Sequence, residues 1–187
     1  MLLLSLDPSP SATGVALWTL RGAMSDKRRL LAWDVLRPPD GLEYASERLT
    51  WTRLGIDHWL GERQADPSEV ACEWLQGHAV RPAPELDALV KELRHWASIR
   101  GARWVTYNPA QWRSGVGGTQ KSDTAVYLYH YLAWPGGNRP AFDKIGLNAY
   151  DAIGIGLYHL AMRRFGGTQP KVSLGQARRT PARKGAR

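Results

Sequence analysis

Three acidic residues stand where chemistry is expected. Asp7 follows the apolar run 1–6, Glu73 follows a short apolar segment, and Asp151 lies inside the apolar run 147–162. Two carboxylates about 4 Å apart repel by about 4 kcal/mol at an effective dielectric of about 20, and burial adds to that cost. Carboxylates that converge therefore need a cation. The natural candidate is a divalent metal ion.

Each acidic residue also has a plain structural explanation. Asp7 precedes Pro8 and could simply start a turn, and Glu73 could be a solvated strand end. Asp151 is harder to explain in this way, because a carboxylate among isoleucines is avoided unless it has a partner. The three together favour a shared site over three unrelated positions.

The elements that would position these residues follow from the apolar pattern, which predicts the order β-β-β-α-β-α-β-α-α. The chain would begin with an antiparallel meander and continue with right-handed βαβ crossovers. We expect an α/β fold with a mixed five-stranded sheet flanked by helices, in one domain over 1–165. The predicted strands are 2–6, 13–20, 29–36, 69–72 and 103–106, and the predicted helices are 43–60, 85–99, 122–132 and 147–164.

Composition narrows the class of protein. The chain has 187 residues, 43% of them hydrophobic and 22% charged, which is typical of one soluble globular domain. No apolar stretch reaches the 18 residues of a membrane span, and the run 1–6 lacks the basic flank of a signal peptide, so we expect a cytoplasmic protein. The single cysteine, Cys72, excludes an internal disulfide and a cysteine-based zinc cluster.

The net charge of +8 is unevenly distributed. The segment 166–187 carries six basic residues and no acidic one, and it is rich in glycine, proline and arginine without apolar periodicity. We predict a disordered tail that contacts a polyanion such as nucleic acid. A merely solubilising tail is the alternative.

Four segments, in their order and spacing, carry a resemblance to a known family. The chain resembles the RuvC family of Holliday-junction resolvases, which have the ribonuclease H-like fold. The segments are Leu4-Ser5-Leu6-Asp7-Pro8-Ser9-Pro10-Ser11-Ala12-Thr13-Gly14, Ala71-Cys72-Glu73, 108–121 with Lys121, and Asn148-Ala149-Tyr150-Asp151-Ala152.

The resemblance implies an endonuclease that resolves four-way DNA junctions by paired symmetric nicks, leaving a 5′-phosphate and a 3′-hydroxyl. It implies that Asp7, Glu73 and Asp151 are ligands of two Mg²⁺ ions, for which Mn²⁺ can substitute. It further implies a homodimer with one site per subunit and a possible partnership with branch-migration proteins. The helices 43–60 and 85–99 are the predicted interface.

One position departs from the family pattern. The last helix motif begins with Asp, or with His in some members, whereas this chain has Asn148. Asn148 shares a helix face with Asp151, so we predict that both are metal ligands. An amide oxygen supplies no charge, and affinity for the second ion should fall. The sequence leaves open whether this Asn is natural or engineered, and whether the chain is instead a branched-DNA-binding module inactivated at Asn148.

Basic residues near the site are predicted to contact DNA. Lys121 matches a family lysine at the scissile region and is expected to stabilise the charge of the pentacovalent phosphate. A solvated lysine at a helix start is the alternative. Arg81 and Arg113 lie in two predicted mobile loops, 76–84 and 111–121, and would bind phosphates.

Aromatic and glycine residues complete the candidates. Most of the nine tryptophans should lie in the core or the dimer interface. Trp74 and Trp112 are predicted to stack on an unpaired base at an opened junction, with core packing as the alternative. Gly154 and Gly156 each cost about 1 kcal/mol in a helix, and we expect them to permit close approach of the last helix to the sheet.

Rival functions fit the sequence less well. An actin-like or sugar-kinase ATPase has a phosphate loop similar to 7–14, but such enzymes need two domains and a far longer chain. A proofreading exonuclease of the ribonuclease H type needs Asp-x-Glu, and position 9 is Ser9. The glycine-rich stretch 115–118 lacks the Gly-Lys-Ser/Thr of a Walker motif, and the five histidines show no metal-ligand spacing.

Overall fold

A computed structural model describes residues 1–21, 29–74, 83–118 and 120–164. The predicted tail, 166–187, lies outside these residues, and so the domain boundary at 165 stays a prediction. The described elements are β1 (Leu2–Asp7), β2 (Thr13–Thr19), β3 (Leu30–Leu36), α1 (Ala45–Gly61), β4 (Glu69–Glu73), α2 (Pro84–Ile99), β5 (Arg103–Tyr107), α3 (Pro109–Gly115), α4 (Lys121–Tyr131), α5 (Phe142–Ile145) and α6 (Leu147–Arg164).

The five strands form one mixed sheet in the order β3-β2-β1-β4-β5. The first three strands are antiparallel, whereas β4 lies parallel to β1 and β5 parallel to β4. Parallel neighbours need crossover connections, which α1 and α2 provide. The predicted fold class is therefore confirmed.

Helices cover both faces of the sheet. Leu3 of β1 belongs to a core cluster with residues of α3, α4 and α6, whereas the next residue, Leu4, belongs to a cluster with α1 and α2. Successive side chains of a strand point to opposite faces, so a strand covered on both faces is largely apolar. This double burial explains the largely apolar run at the start of the chain, in which the buried Ser5 accepts a hydrogen bond from Trp18 Nε1.

The predicted mobile loop 111–121 is wrong over its first half, which is helical. Asn108 caps α3 because its Oδ1 accepts a 2.9 Å hydrogen bond from the backbone nitrogen of Ala110, and Pro109 fits the first helical turn. The Asn-Pro pair therefore starts a helix as well as ending β5. The four-residue helix α5 was also not predicted.

The two glycines of α6 face different neighbours. A Cβ on Gly156 would overlap Trp18 Nε1 and Ser5 Oγ on the sheet, so this glycine permits the predicted close approach. A Cβ on Gly154 would instead overlap the ring of Trp112 in α3. The expectation that Gly154 packs against the sheet is therefore wrong.

Further along α6, a buried polar group ties the helix to the sheet. His159 contacts the Tyr107 hydroxyl through Nδ1 at 2.8 Å and Glu69 through Nε2 at 2.7 Å, and Arg163 lies 3.0 Å from the same Glu69 carboxylate. Buried charges are normally paired in this way.

None of the described helices combines the length and the apolar character that crossing a membrane requires.

Candidate metal centre

The parallel pairing of β1 and β4 brings two of the acidic residues to one edge of the sheet. Leu6 is paired with Cys72, so the next residues, Asp7 and Glu73, end neighbouring parallel strands. Asp7 is only 7% exposed. The turn that follows β1 leads directly into β2, whose Gly14 pairs with Asp7.

Helix α6 supplies the third carboxylate. The helix packs across β1 and β2, and Asp151 on its second turn is 1% exposed. One oxygen from each of Asp7, Glu73 and Asp151 lies within 4.8 Å of the other two. The structure thus brings together the three carboxylates that the sequence singled out.

Two basic side chains enter the cluster from α3 and α4. Lys121 Nζ lies 2.7 Å from Asp151 Oδ2 and 3.7 Å from Asp7 Oδ2. Arg113 Nη2 lies 3.1 Å from Asp151 Oδ2 and 3.4 Å from Glu73 Oε2. Two positive charges thus face three carboxylates, which leaves the ionised cluster one positive charge short.

Burial, and to a smaller extent this charge imbalance, shift the pKa values of two of the acidic residues. Burial, with the charges of Asp151 and Glu73, raises the pKa of Asp7 to about 8 against the opposing effect of Lys121 and Arg113. Burial also raises the pKa of Glu73, opposed by a hydrogen bond from Trp112 and by Arg113. Since both pKa values are raised, the ionised forms of Asp7 and Glu73 would be stabilised by a further cation.

The donor set fits a hard divalent cation. Mg²⁺ and Mn²⁺ prefer carboxylate oxygens, and all three residues offer them. Asp151 Oδ1 is buried, and the part of the chain that the structure describes provides it with no hydrogen-bond partner. Buried polar atoms nearly always have a hydrogen-bond partner, so an unsatisfied one calls for an explanation. A bound ion at Asp151 Oδ1 would provide it.

Comparisons with known proteins support the resemblance to RuvC. The crossover junction endodeoxyribonuclease RuvC of Frankia alni is 28% identical over an alignment that covers 96% of this chain and 91% of that protein. The structure of Thermus thermophilus RuvC superposes with a TM-score of 0.68 at 22% identity, covering 89% of this chain and 98% of that one. The resemblance to RuvC is confirmed.

A more distant structure shares the fold. The Fowlpox virus resolvase, solved in complex with its substrate Holliday junction DNA, superposes with a TM-score of 0.59 at 13% identity. That match covers 87% of this chain and 99% of the viral one. No model of a protein family matches the chain.

Asn148, where the chain departs from the RuvC pattern, is held by two contacts. Its Nδ2 donates a hydrogen bond to the carbonyl oxygen of Ala12 in the β1–β2 turn, and its Oδ1 accepts one from Lys121 Nζ at 3.3 Å. These partners define which end of the amide is which. Asn148 therefore adjoins the cluster through Lys121, and its role as a metal ligand stays a prediction.

Trp112 is not placed to stack on DNA. Its side chain is fully buried, and its Nε1 donates a 2.7 Å hydrogen bond to Glu73 Oε2. The prediction of base stacking is wrong for this residue, because the short helix α3 turns the indole inward. Sequence reasoning missed the contact with Glu73, since a seven-residue helix does not show from its sequence which face it buries.

The remaining predicted DNA contacts differ in how far the structure describes them. Trp74 follows β4 directly and is partly buried against the core formed with α1 and α2. Arg81 lies outside the described residues, as does most of the predicted loop 76–84. Arg113 and Lys121 lie at the carboxylates. These four DNA contacts stay predictions.

Proposed function

We propose that this chain is a metal-dependent endonuclease that resolves Holliday junctions by paired symmetric nicks. The observation that carries the proposal is the convergence of Asp7, Glu73 and Asp151, one oxygen of each within 4.8 Å of the others. These residues lie in the segments through which the chain resembles RuvC. The Frankia relative is named a crossover junction endodeoxyribonuclease, which supports this reaction class.

The carboxylates of Asp7, Glu73 and Asp151 would hold two divalent ions, with Asn148 as a neutral fourth ligand. Ions bound in such a site activate a water molecule and stabilise the attacking and leaving oxygens of an in-line displacement. In this phosphodiester hydrolysis, the water oxygen bonds to phosphorus while the bond from phosphorus to the 3′ oxygen breaks. The products are a 5′-phosphate and a 3′-hydroxyl, which can be religated.

Lys121 and Arg113 have a second role in this proposal. In the structure both are paired with the carboxylates. With a divalent ion held by the carboxylates, Lys121 and Arg113 would be free to pair with phosphate oxygens. Lys121 stabilises the charge that develops on the scissile phosphate, and Arg113 positions the DNA backbone.

A homodimer is part of the proposal because a four-way junction has approximate two-fold symmetry and needs two matched nicks. Leu54 of α1 and Ile99 of α2 are exposed large hydrophobic residues on the predicted interface helices, which supports the assignment. We further propose that the basic segment 166–187 contacts DNA, that branch-migration proteins act as partners, and that the protein works in the cytoplasm.

Nicking of a synthetic mobile four-way junction, beside linear duplex of the same sequence, tests the function. With Mg²⁺ or Mn²⁺, cuts at symmetric positions are expected in the junction alone, and none after chelation of the metal. Equal nicking of junction and duplex would contradict the structure-selective activity.

A branched-DNA-binding module without cleavage is the second candidate, and the geometry of Asn148 is what favours it. The amide donates to the Ala12 carbonyl and accepts from Lys121, so a neutral side chain is well accommodated there. Binding of the junction without any cut, in Mg²⁺ and in Mn²⁺, would support this candidate.

The Asn148→Asp variant is expected to be less stable without metal and to bind metal more tightly. A carboxylate cannot donate to Ala12, and its charge adds to an already negative cluster, so the metal-free midpoint of thermal unfolding should fall. The expected loss of stability is about 1–3 kcal/mol. At this chain length each kcal/mol lowers the midpoint by about 2–4 °C. The metal concentration for half-maximal nicking should fall, because the fourth ligand becomes charged.

Thermal unfolding without metal and nicking across a metal titration measure both effects. The exposed Asn138→Asp variant makes the same charge change away from the described contacts and should alter neither quantity. If the midpoint of thermal unfolding without metal is the same in Asn148→Asp as in wild type, the hydrogen bond to Ala12 does not stabilise the protein. Cleavage by Asn148→Asp alone, with wild type binding only, would identify an inactivated nuclease scaffold.

A further inference from the structure

The indole of Trp112 contacts the candidate metal centre from within the protein core. Its Nε1 donates to Glu73 Oε2 at 2.7 Å, and the adjacent Arg113 donates to the same oxygen at 3.4 Å. One oxygen of Glu73 is therefore held by two donors from a single short helix. Trp112 is fully buried, so its donor is shielded from competing water.

The position of the indole is determined by both α3 and α6. Asn108 and Pro109 fix the start of α3, and the backbone nitrogen of Trp112 donates to the Asn108 carbonyl at 3.1 Å. On the other side, Gly154 of α6 lies against the six-membered ring, where a Cβ would overlap it. The absence of a side chain at Gly154 is what leaves room for the indole beside Glu73.

We propose that Trp112 is a positioning residue that holds the Glu73 carboxylate in the orientation needed to bind a divalent cation together with Asp7 and Asp151. A glutamate that is free to rotate loses side-chain entropy when it binds an ion, whereas a pre-oriented one has already lost it. Partners that orient metal ligands typically contribute about 10- to 100-fold in metal affinity. The inference deepens the proposed function and rests on it for the cleavage readout.

The Trp112→Phe variant keeps an aromatic ring in the core and removes the N–H donor. Binding of Mn²⁺, followed by the electron paramagnetic resonance signal of the free ion, should weaken by about 10- to 100-fold. The Mn²⁺ concentration for half-maximal junction nicking should rise by a similar factor, with a smaller effect on the rate at saturating metal. A purely structural role would lower the unfolding midpoint and leave Mn²⁺ affinity unchanged.

Trp18→Phe is the matched control. Trp18 is a buried tryptophan of the same core cluster, and its Nε1 donates to Ser5 Oγ at 2.9 Å rather than to a carboxylate. Its replacement removes an equivalent buried donor. The unfolding midpoint should fall, and the affinity for Mn²⁺ should stay at the wild-type value.

Gly154→Ala provides a second, independent variant. The added methyl group displaces the indole, so Mn²⁺ affinity should fall as it does in Trp112→Phe. In the Trp112→Phe background the smaller ring leaves room for the methyl group, and Gly154→Ala should then have little further effect. Such non-additivity is expected only of residues that act through a shared contact.

Unchanged Mn²⁺ affinity in both Trp112→Phe and Gly154→Ala would overturn the proposal, as would an equal loss in Trp18→Phe. If Trp112→Phe does not fold, Gly154→Ala decides the matter. Wild type that binds Mn²⁺ and does not nick junctions contradicts the proposed function, and the Mn²⁺ affinities alone then decide the role of Trp112.

Discussion

Asp7→Asn should reduce junction nicking by at least about 10²–10³-fold while making the metal-free protein more stable. The loss of activity is expected because Asp7 supplies a charged ligand to the proposed centre, and removing one charge-stabilising group from an active site typically has an effect of that size. The gain in stability is expected because burial, and after it the charges of Asp151 and Glu73, raise the pKa of Asp7 to about 8, so an ionised carboxyl is unfavourable there. A neutral amide removes that cost.

Single-turnover nicking and thermal unfolding without metal measure the two effects of Asp7→Asn. The midpoint should rise by about 2–4 °C for each kcal/mol gained. Asp66→Asn is the matched control, because the Asp66 side chain is 84% exposed, and the variant should change neither quantity. Nicking by Asp7→Asn at close to the wild-type rate would refute its role as a ligand. A lower midpoint would refute the destabilising effect of the buried Asp7 carboxyl.

Gly156→Ala should lower both stability and activity, although alanine is the better helix former. The new methyl group overlaps Trp18 and Ser5, which are buried and hydrogen-bonded to each other. Overpacking of this kind costs about 1–3 kcal/mol, which outweighs a propensity gain of about 1 kcal/mol. Relief of the overlap moves α6, and a displacement of about 1 Å at Asp151 is enough to slow nicking by about 100-fold.

Gly61→Ala is the control for the Gly156 variant. Gly61 ends α1, and a Cβ there meets no atom within 4 Å. This variant should be slightly more stable than wild type and nick at the same rate. Wild-type stability and nicking in Gly156→Ala, measured by thermal unfolding and single-turnover cleavage, would show that close approach of α6 to the sheet is not required.

The sequence predicts the sheet and the acidic cluster because both depend on strong local signals. β1 is apolar from Leu2 to Leu6 apart from Ser5. It ends at Asp7, as β4 ends at Glu73. Since the carboxyl ends of neighbouring parallel strands meet at one edge, the topology alone brings the two together. Asp151 could be predicted because a carboxylate inside an apolar helix is avoided unless it has a partner.

The contacts made by α3 could not be predicted in the same way. The segment 108–118 combines Asn-Pro with several glycines, a composition typical of a loop, and the seven-residue helix within it is too short to show a periodic apolar face. The inward orientation of Trp112 depends on the space at Gly154, which lies far along the chain. Tertiary packing therefore decides whether this tryptophan meets DNA or Glu73.

We propose that the three converging carboxylates belong to an enzyme that cuts a four-way junction by two paired nicks. A supercoiled plasmid with an inverted repeat that extrudes as a cruciform presents such a junction. With Mg²⁺, wild type should convert it directly to linear DNA with ends at the cruciform, whereas Asp7→Asn should leave it supercoiled. Accumulation of nicked circles alone, or equal cutting of a plasmid without the repeat, would contradict the account.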